Sequence, residues 1–212
     1  MNKNIETEIK DTIFDIVDFP KKGIIFRDLT PILGNHKVFS NIIDELYERT
    51  KDLGYTMIVA PESRGFWFGI PLANKAKVGF VPVRKPKKLP RAVYSEEFSL
   101  EYGKDCLQMH IDALKPTDKV LIVDDLIATG GTIGAIYNLV KQAKATVVGF
   151  AYPGFGSKEK DLETTPAAPD FKIQFMEEAL LPITPAANIK GFLNSTPQTF
   201  VLNMITPKIF IW

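Results

Sequence analysis

Apolar positions recur along this chain at two periods, and the switching between them lays out a fold. Ile5, Ile9, Ile13, Ile16 and Val17 fall at helical spacing, which predicts an amphipathic helix over residues 3–18. The stretch DFPKKGIIFRDLTPIL reads as a loop with a short apolar patch, because Pro20, Gly23 and Pro31 interrupt any regular period. Val38, Phe39, Ile42, Ile43, Leu46, Tyr47 and Leu53 predict a second helix, stopped by Gly54. Residues 57–60 form a short continuous apolar run and predict a buried strand. SRGFWFGIPLANKAK reads as a turn and a helix whose start is unsettled by Pro71. Residues 79–84 predict a strand. Residues 85–105 are polar, basic and too long for a passive connection. Residues 106–112 alternate as a strand, 119–123 predict a strand, 131–143 a helix and 146–151 a strand. No internal repeat is present.

Strands alternating with helices imply right-handed βαβ units, hence an α/β fold around a mostly parallel sheet. Such sheets bind ligands at the carboxyl ends of their strands. The stretch VLIVDDLIATGGT, residues 120–132, places two adjacent acids, Asp124 and Asp125, at such an end. Neighbouring like charges repel, so the pair asks for a cation or hydroxyl groups beside it. After the acids comes Ala128-Thr129-Gly130-Gly131-Thr132, opening a helix. Small residues let backbone N–H groups converge, the helix N-terminus adds partial positive charge, and the threonines offer hydroxyls. That combination is a phosphate cradle. No GxxxxGK[ST] or GxGxxG occurs, so the expected ligand is a phosphate monoester rather than a nucleoside triphosphate or dinucleotide. With a sugar 5-phosphate in the cradle, the vicinal carboxylates would accept hydrogen bonds from ring hydroxyls, directly or through a divalent ion.

Composition narrows the classes. The chain has 212 residues, enough for one or two domains, with 45% hydrophobic and 24% charged residues. The net charge of +1 implies no general attraction to nucleic acid or membrane. The segment RKPKKLPR, residues 84–91, concentrates cations, but nucleic-acid binding would want a wider basic face with interleaved aromatics. One cysteine, Cys106, excludes an internal disulfide framework and reads as a small buried apolar group. With only His36 and His110 besides, both read as ordinary surface or strand residues, a structural zinc site is not expected. MNKNIETEIK lacks the apolar core of a signal peptide and no run has the length of a membrane span, so the expected location is the cytoplasm.

VLIVDDLIATGGT resembles the phosphoribosyl diphosphate (PRPP) binding motif of the type I phosphoribosyltransferases. DFPKKGIIFRDLTPIL, PESRGFWFG, VRKPKKLP and FSLEYGKD follow the order and spacing seen in the adenine phosphoribosyltransferase family, over roughly residues 10–151. The resemblance implies a type I phosphoribosyltransferase fold with a small base-binding hood. It also implies the reaction of adenine with PRPP to give AMP and pyrophosphate, a purine-salvage step. The expected partners are adenine and PRPP, with Mg2+ held mainly by PRPP, and a second copy of the chain in a homodimer. A non-catalytic PRPP-binding regulator, or an inactive homologue on the same fold, is the alternative.

By the same resemblance, Asp124 and Asp125 face the ribose hydroxyls and stabilise an oxocarbenium-like centre, reaching Mg2+ through water if at all. Ala128, Thr129, Gly130, Gly131 and Thr132 hold the 5-phosphate. Ser63, Arg64 and Gly65 bind pyrophosphate, for which the arginine fork is suited. Alone, Arg64 reads equally as the cap of a surface turn. Lys88 reaches pyrophosphate, often across a dimer interface; the family commonly has glycine where this chain has Lys87. Glu101 and Tyr102 belong to a loop that covers the site, with Glu101 tied to proton handling near the purine, although Glu101 alone reads as a solvated loop acid. Phe26 stacks on the base, the main chain of Ile25 reads its edge, and Arg27 lies close by; by pattern alone Phe26 is core. Enzymes for 6-oxo purines carry a lysine soon after the strand that follows the phosphate loop. Here VVGFAYPGFG follows, with none until Lys158, which favours adenine.

From Tyr152 the chain departs from the family pattern. YPGFGSKEKDLETTPAAPD stands where an apolar, acid-bearing segment is usual. Seven of the fifteen prolines lie beyond this point, and only residues 171–178 suggest a regular element. The expected organisation is a core of residues 1–151 followed by an atypical, poorly ordered extension over 152–212. A rebuilt C-terminus and a shifted reading frame both fit that change.

Overall fold

The computed structural model describes residues 3–19, 22, 25–100, 103–125, 130–153 and 200–203. Helix α1, Lys3–Thr12, leads into strand β1, Phe14–Val17, which pairs antiparallel with β2, Ile25–Asp28. Next come α2, Thr30–Gly34, and α3, His36–Thr50. Asn35 caps α3, its side chain accepting from the Val38 amide at 3.2 Å, and Gly54 closes the following turn at φ 65°. Strand β3, Met57–Pro61, feeds α4, Arg64–Ala76, then β4, Gly79–Val83. Strands β5, Val93–Leu100, and β6, Gly103–His110, form an antiparallel hairpin. Then follow β7, Lys119–Val123, α5, Gly131–Gln142, and β8, Thr146–Tyr152. A short strand β9, Phe200–Asn203, adds to the edge of β8.

The main sheet is parallel, in the order β4-β3-β7-β8-β9. Both of its faces are covered, and the period-2 geometry of the strands divides the core in two. Ile58, Ala60, Leu121, Val123 and Ala151 point into a cluster with α1, α2, α3 and α4, including Ile42, Leu46, Phe68 and Leu72. Val59, Val120, Ile122, Phe150 and Tyr152 point the other way, against Ile133, Ile136, Leu139 and Val140 of α5 and Leu107 and Met109 of β6.

Chain order and spatial order now fix a crevice. β3 leads through α4 to β4 on one side, while the neighbouring β7 leads through α5 to β8 on the other. α4 lies on one face of the sheet and α5 on the opposite face. Adjacent strands whose connections depart to opposite sides open a cleft at their carboxyl ends.

Several expectations are corrected. The helix predicted over 3–18 ends at Thr12, whose hydroxyl donates to the Glu8 carbonyl at 2.7 Å. Ile16 and Val17 belong instead to β1, because pairing with β2 satisfies the backbone there. Ile25, Phe26 and Arg27 therefore sit on a strand rather than a loop. The long polar stretch over 85–105 contains β5, and the strand expected over 106–112 spans Gly103–His110; a cross-strand ladder from Val93–His110 to Leu100–Gly103 organises residues whose local composition looks like loop. β9 is not expected from the sequence, where its four residues stand between turn-forming stretches. The expected element at 171–178 lies outside the described residues, as does the rest of the expected extension apart from residues 152–153 and 200–203, of which Tyr152 ends β8. Cys106 is half-buried rather than buried, and burial together with the Glu97 charge pushes its thiol up.

Candidate active site

Two helix N-termini converge on the crevice. β3 ends at Pro61, turns through Glu62 and Ser63, and enters α4 at Arg64. β7 ends at Val123, passes Asp124 and Asp125, and enters α5 at Gly131, with Gly130 as its left-handed N-cap at φ 78°. A side chain at Gly130 would be strained in that conformation. The N–H groups of the first turns and the aligned helix dipoles make each end receptive to anions. Gly131 is buried and Thr132 half-buried at the second of these ends.

The cation that the paired acids require is Arg64. Its Nε stands 3.1 Å from Asp125 Oδ2, with the Asp125 side chain 4% exposed. Asp125 is thus a buried carboxylate tied to the opposite turn rather than a free ligand. Asp124 is partly exposed at the strand end; its amide donates to the Ala151 carbonyl at 3.2 Å, and its Oδ1 accepts from the Asp125 amide at 2.8 Å. Enclosure by protein, then the charge of Asp125, push the Asp124 carboxyl well above the ordinary aspartate range, with Arg64 opposing only in part.

Gly65 is forced by packing. A Cβ there would lie 2.7 Å from Pro61 Cδ and 3.1 Å from the Val123 carbonyl oxygen. The turn after β3 therefore presses directly on the end of the strand that bears the acids. The Glu62–Ser63 peptide within that turn is cis.

Glu62, which the sequence pattern does not single out, buttresses the same turn. Its Oε2 accepts from Arg84 Nε and its Oε1 from the Lys85 amide at 3.1 Å, while its own amide donates to the Val83 carbonyl at 2.8 Å. Burial works against its charge, yet the Arg84 bond, the Lys85 amide and the nearby Lys88 charge hold its carboxyl below the ordinary range. The signal was an acid just after one strand and an arginine just after the next; the pairing of Pro61 with Val83 brings them together. Lys88 itself is exposed, and Lys87 adopts φ 67°, the left-handed region that suits the family's glycine.

Phe26 is half-buried on β2, its ring edge-on to Phe19 at 5.3 Å between centroids. It is thus not a fully buried core residue. Arg27 Nε pairs with Asp15 across the hairpin at 3.1 Å. Ala128, Thr129, Glu101 and Tyr102 lie outside the described residues; Glu101 and Tyr102 fall between Leu100 and Gly103, which pair at the end of the β5–β6 ladder.

Among the described residues no three His, Cys, Asp or Glu side chains gather to hold a metal ion by themselves. The oxygen donors of Asp124 nevertheless suit Mg2+, which commonly keeps several waters and binds through one or two carboxylates plus substrate phosphates. No helix among the described residues is long and apolar enough to cross a membrane.

Comparison with known proteins agrees with this geometry. Residues 30–171 match the phosphoribosyl transferase domain. Adenine phosphoribosyltransferase of Mycoplasmoides gallisepticum is 52% identical over 153 residues, covering 72% of this chain and 86% of that protein. The crystal structure of the enzyme from Thermoanaerobacter pseudethanolicus superposes with a TM-score of 0.67 at 49% identity, covering 69% of this chain and 85% of that one. The Saccharomyces cerevisiae enzyme, crystallised with an imino-altritol bisphosphate and adenine, gives 0.66 at 38% identity, covering 70% and 87%. The crevice between β3 and β7, its two anion-receptive helix ends and these relatives together place the chain in the phosphoribosyltransferase family, in its adenine phosphoribosyltransferase branch.

Proposed function

We propose that the protein transfers the phosphoribosyl group of PRPP to adenine, yielding AMP and pyrophosphate. The observation that carries the site assignment is the Arg64–Asp125 pair joining the turns that follow the adjacent strands β3 and β7. PRPP has a phosphate at one end and a diphosphate at the other. The α5 end, Ala128 to Thr132, takes the 5-phosphate, and the α4 end, Ser63, Arg64 and Gly65, takes the diphosphate with Lys88. Asp124 and Asp125 then lie beneath the ribose.

The C1–O bond to pyrophosphate breaks with the electron pair leaving on oxygen, and adenine N9 donates its pair to C1. Positive charge on the ring at the transition state is met by the carboxylate of Asp124, while Asp125 keeps Arg64 aimed at the leaving group. When bound, Mg2+ neutralises part of the diphosphate charge. Phe26 stacks on adenine, the Ile25 main chain and Arg27 meet its edge, and Glu101 takes the N9 proton with Tyr102 covering the site. The base-binding hood is the N-terminal part of a core spanning residues 1–151, followed by an extension over 152–212. The enzyme works in the cytoplasm as a homodimer in which Lys88 serves the neighbouring site.

The test is formation of AMP from adenine, PRPP and Mg2+, with hypoxanthine and guanine in parallel and sedimentation to read the oligomer. AMP from adenine alone supports the reading. PRPP binding without product from any base would mark a non-catalytic PRPP-binding protein and overturn it.

A further inference from the structure

On β5, Tyr94, Glu96 and Phe98 share one face by strand alternation, and Tyr94 and Phe98 pack against the cluster that contains Ile133, Ile136, Leu139 and Val140 of α5. An apolar residue would serve that face best, yet an acid stands in the middle of it. Two amides one helical turn apart receive it: Asn138 Nδ2 donates to Glu96 Oε1 at 2.8 Å, and Gln142 Nε2 donates to Oε2 at 2.9 Å. Both carboxylate oxygens are used, so a slip of the hairpin along the helix would leave a half-buried charge with its bonds broken. A polar contact of this kind adds register where apolar packing alone would tolerate sliding.

The β6 edge of the same hairpin holds the basic segment. Arg84 and Gln108 exchange backbone hydrogen bonds at 2.9 and 2.7 Å, and Lys85 Nζ lies 3.0 Å from Asp105 Oδ2. Arg84 in turn holds Glu62 of the turn before α4. The hairpin is therefore a bracket. Its α5-facing side grips α5 about 10–16 Å along the axis from the Gly131 end, and its β6 edge holds Arg84 and Lys85, the partners of Glu62.

We propose that Glu96 is a positioning residue for phosphoribosyl transfer: by seating the β5–β6 hairpin at one register on α5, it sets the spacing between the 5-phosphate end and the pyrophosphate end of the PRPP site. The proposal rests on the phosphoribosyl-transfer reading above. A ligand that spans both ends senses the spacing, whereas a ligand that fills one end does not.

The experiment is calorimetric titration of the full chain with PRPP, ribose 5-phosphate and pyrophosphate separately, each with Mg2+. It compares wild type with Glu96→Leu, Glu96→Gln and the Asn138→Ala/Gln142→Ala double variant, each with its melting temperature. Glu96→Leu keeps the apolar packing and should lose PRPP affinity about tenfold while each half-ligand stays within about twofold. The double variant, which attacks the clasp from the helix side, should show the same split. Glu96→Gln, still able to accept from one amide, should recover most of the PRPP affinity. Equal losses for all three ligands, or unchanged PRPP affinity in both Glu96→Leu and the double variant, would overturn the proposal. Wild type that binds PRPP but forms no AMP would refute the transfer reading alone, since the binding split still decides the role of Glu96 in spacing the two ends.

Discussion

Replacing Gly65 by alanine adds one methyl group at the point where the two halves of the site touch. That carbon would sit 2.7 Å from Pro61 Cδ, 3.1 Å from Pro61 Cγ and 3.1 Å from the Val123 carbonyl oxygen. Ordinary carbon contacts lie near 3.5–4.0 Å, so a gap of roughly 1 Å must open. Neither neighbour gives easily: one is a proline ring and the other is main chain at the end of a buried strand. Overpacking of this kind costs about 1–3 kcal/mol. Alanine recovers up to about 1 kcal/mol as the better helix former at the second position of α4. The net loss of about 1–2 kcal/mol should lower the melting temperature by roughly 3–6 °C for a chain of this size. The larger effect falls on chemistry, because the displaced elements carry Arg64 and Asp124. A shift near 1 Å in such groups is worth about a hundredfold in rate. Calorimetry and AMP formation at varied PRPP and varied adenine read the two consequences, with Gly34→Ala as control, since nothing lies within 4 Å of a Cβ there. If Gly65→Ala melts and turns over like wild type, the pressure of the turn on the strand end is not what holds the site. If it melts lower but keeps kcat/KM for PRPP, the contact is structural only.

Asp124→Asn should remove turnover and raise the stability of the unliganded protein. The folded carboxyl keeps its proton to higher pH than the unfolded chain does, so stability falls as pH climbs from the ordinary aspartate range through the raised folded value. Asparagine abolishes that slope; its melting temperature should exceed wild type at neutral pH and converge with it in acid, and parallel curves would contradict the assignment. Phe26→Ala should raise KM for adenine about tenfold while leaving KM for PRPP nearly unchanged, as expected for a lost stacking surface; equal effects on both would make Phe26 a packing residue. Lys87→Gly should relieve the left-handed backbone at φ 67° and, after the entropic cost of glycine, gain up to about 1 kcal/mol in thermal unfolding; a lower melting temperature would show that the lysine side chain outweighs its backbone.

What was legible in the sequence follows from range. The strands at 57–60, 79–84, 119–123 and 146–151 could be read because parallel strands covered on both faces are continuous apolar runs, and the helix at 131–143 because its apolar stripe is regular. The acids at 124 and 125 declared themselves by an electrostatic cost that needed a partner. That the partner is Arg64 was not legible, since sixty residues separate them and only the β3–β7 pairing joins them. The same holds for β1, which local periodicity assigned to the preceding helix because Ile13, Ile16 and Val17 fit either element until β2 arrives. Glu62 and Glu96 were invisible for a further reason: an acid near a turn or in a polar stretch is usually solvated, and only the fold reveals Arg84 and the two α5 amides waiting for them.

The division of the core by strand alternation bears on how substitutions combine. Ile58 and Val59 are covalent neighbours, yet each belongs to a different cluster, one shared with Leu72 of α4 and the other with Ile136 of α5. Epistasis in this protein should therefore follow sheet face rather than chain position. Truncations at Ile58 and Leu72 share one cavity and should depart from additivity, whereas truncations at Ile58 and Ile136 should sum. A lineage accumulating changes in one half of the core would find its compensations fourteen residues away, across the sheet's own face, and none from the residue next door.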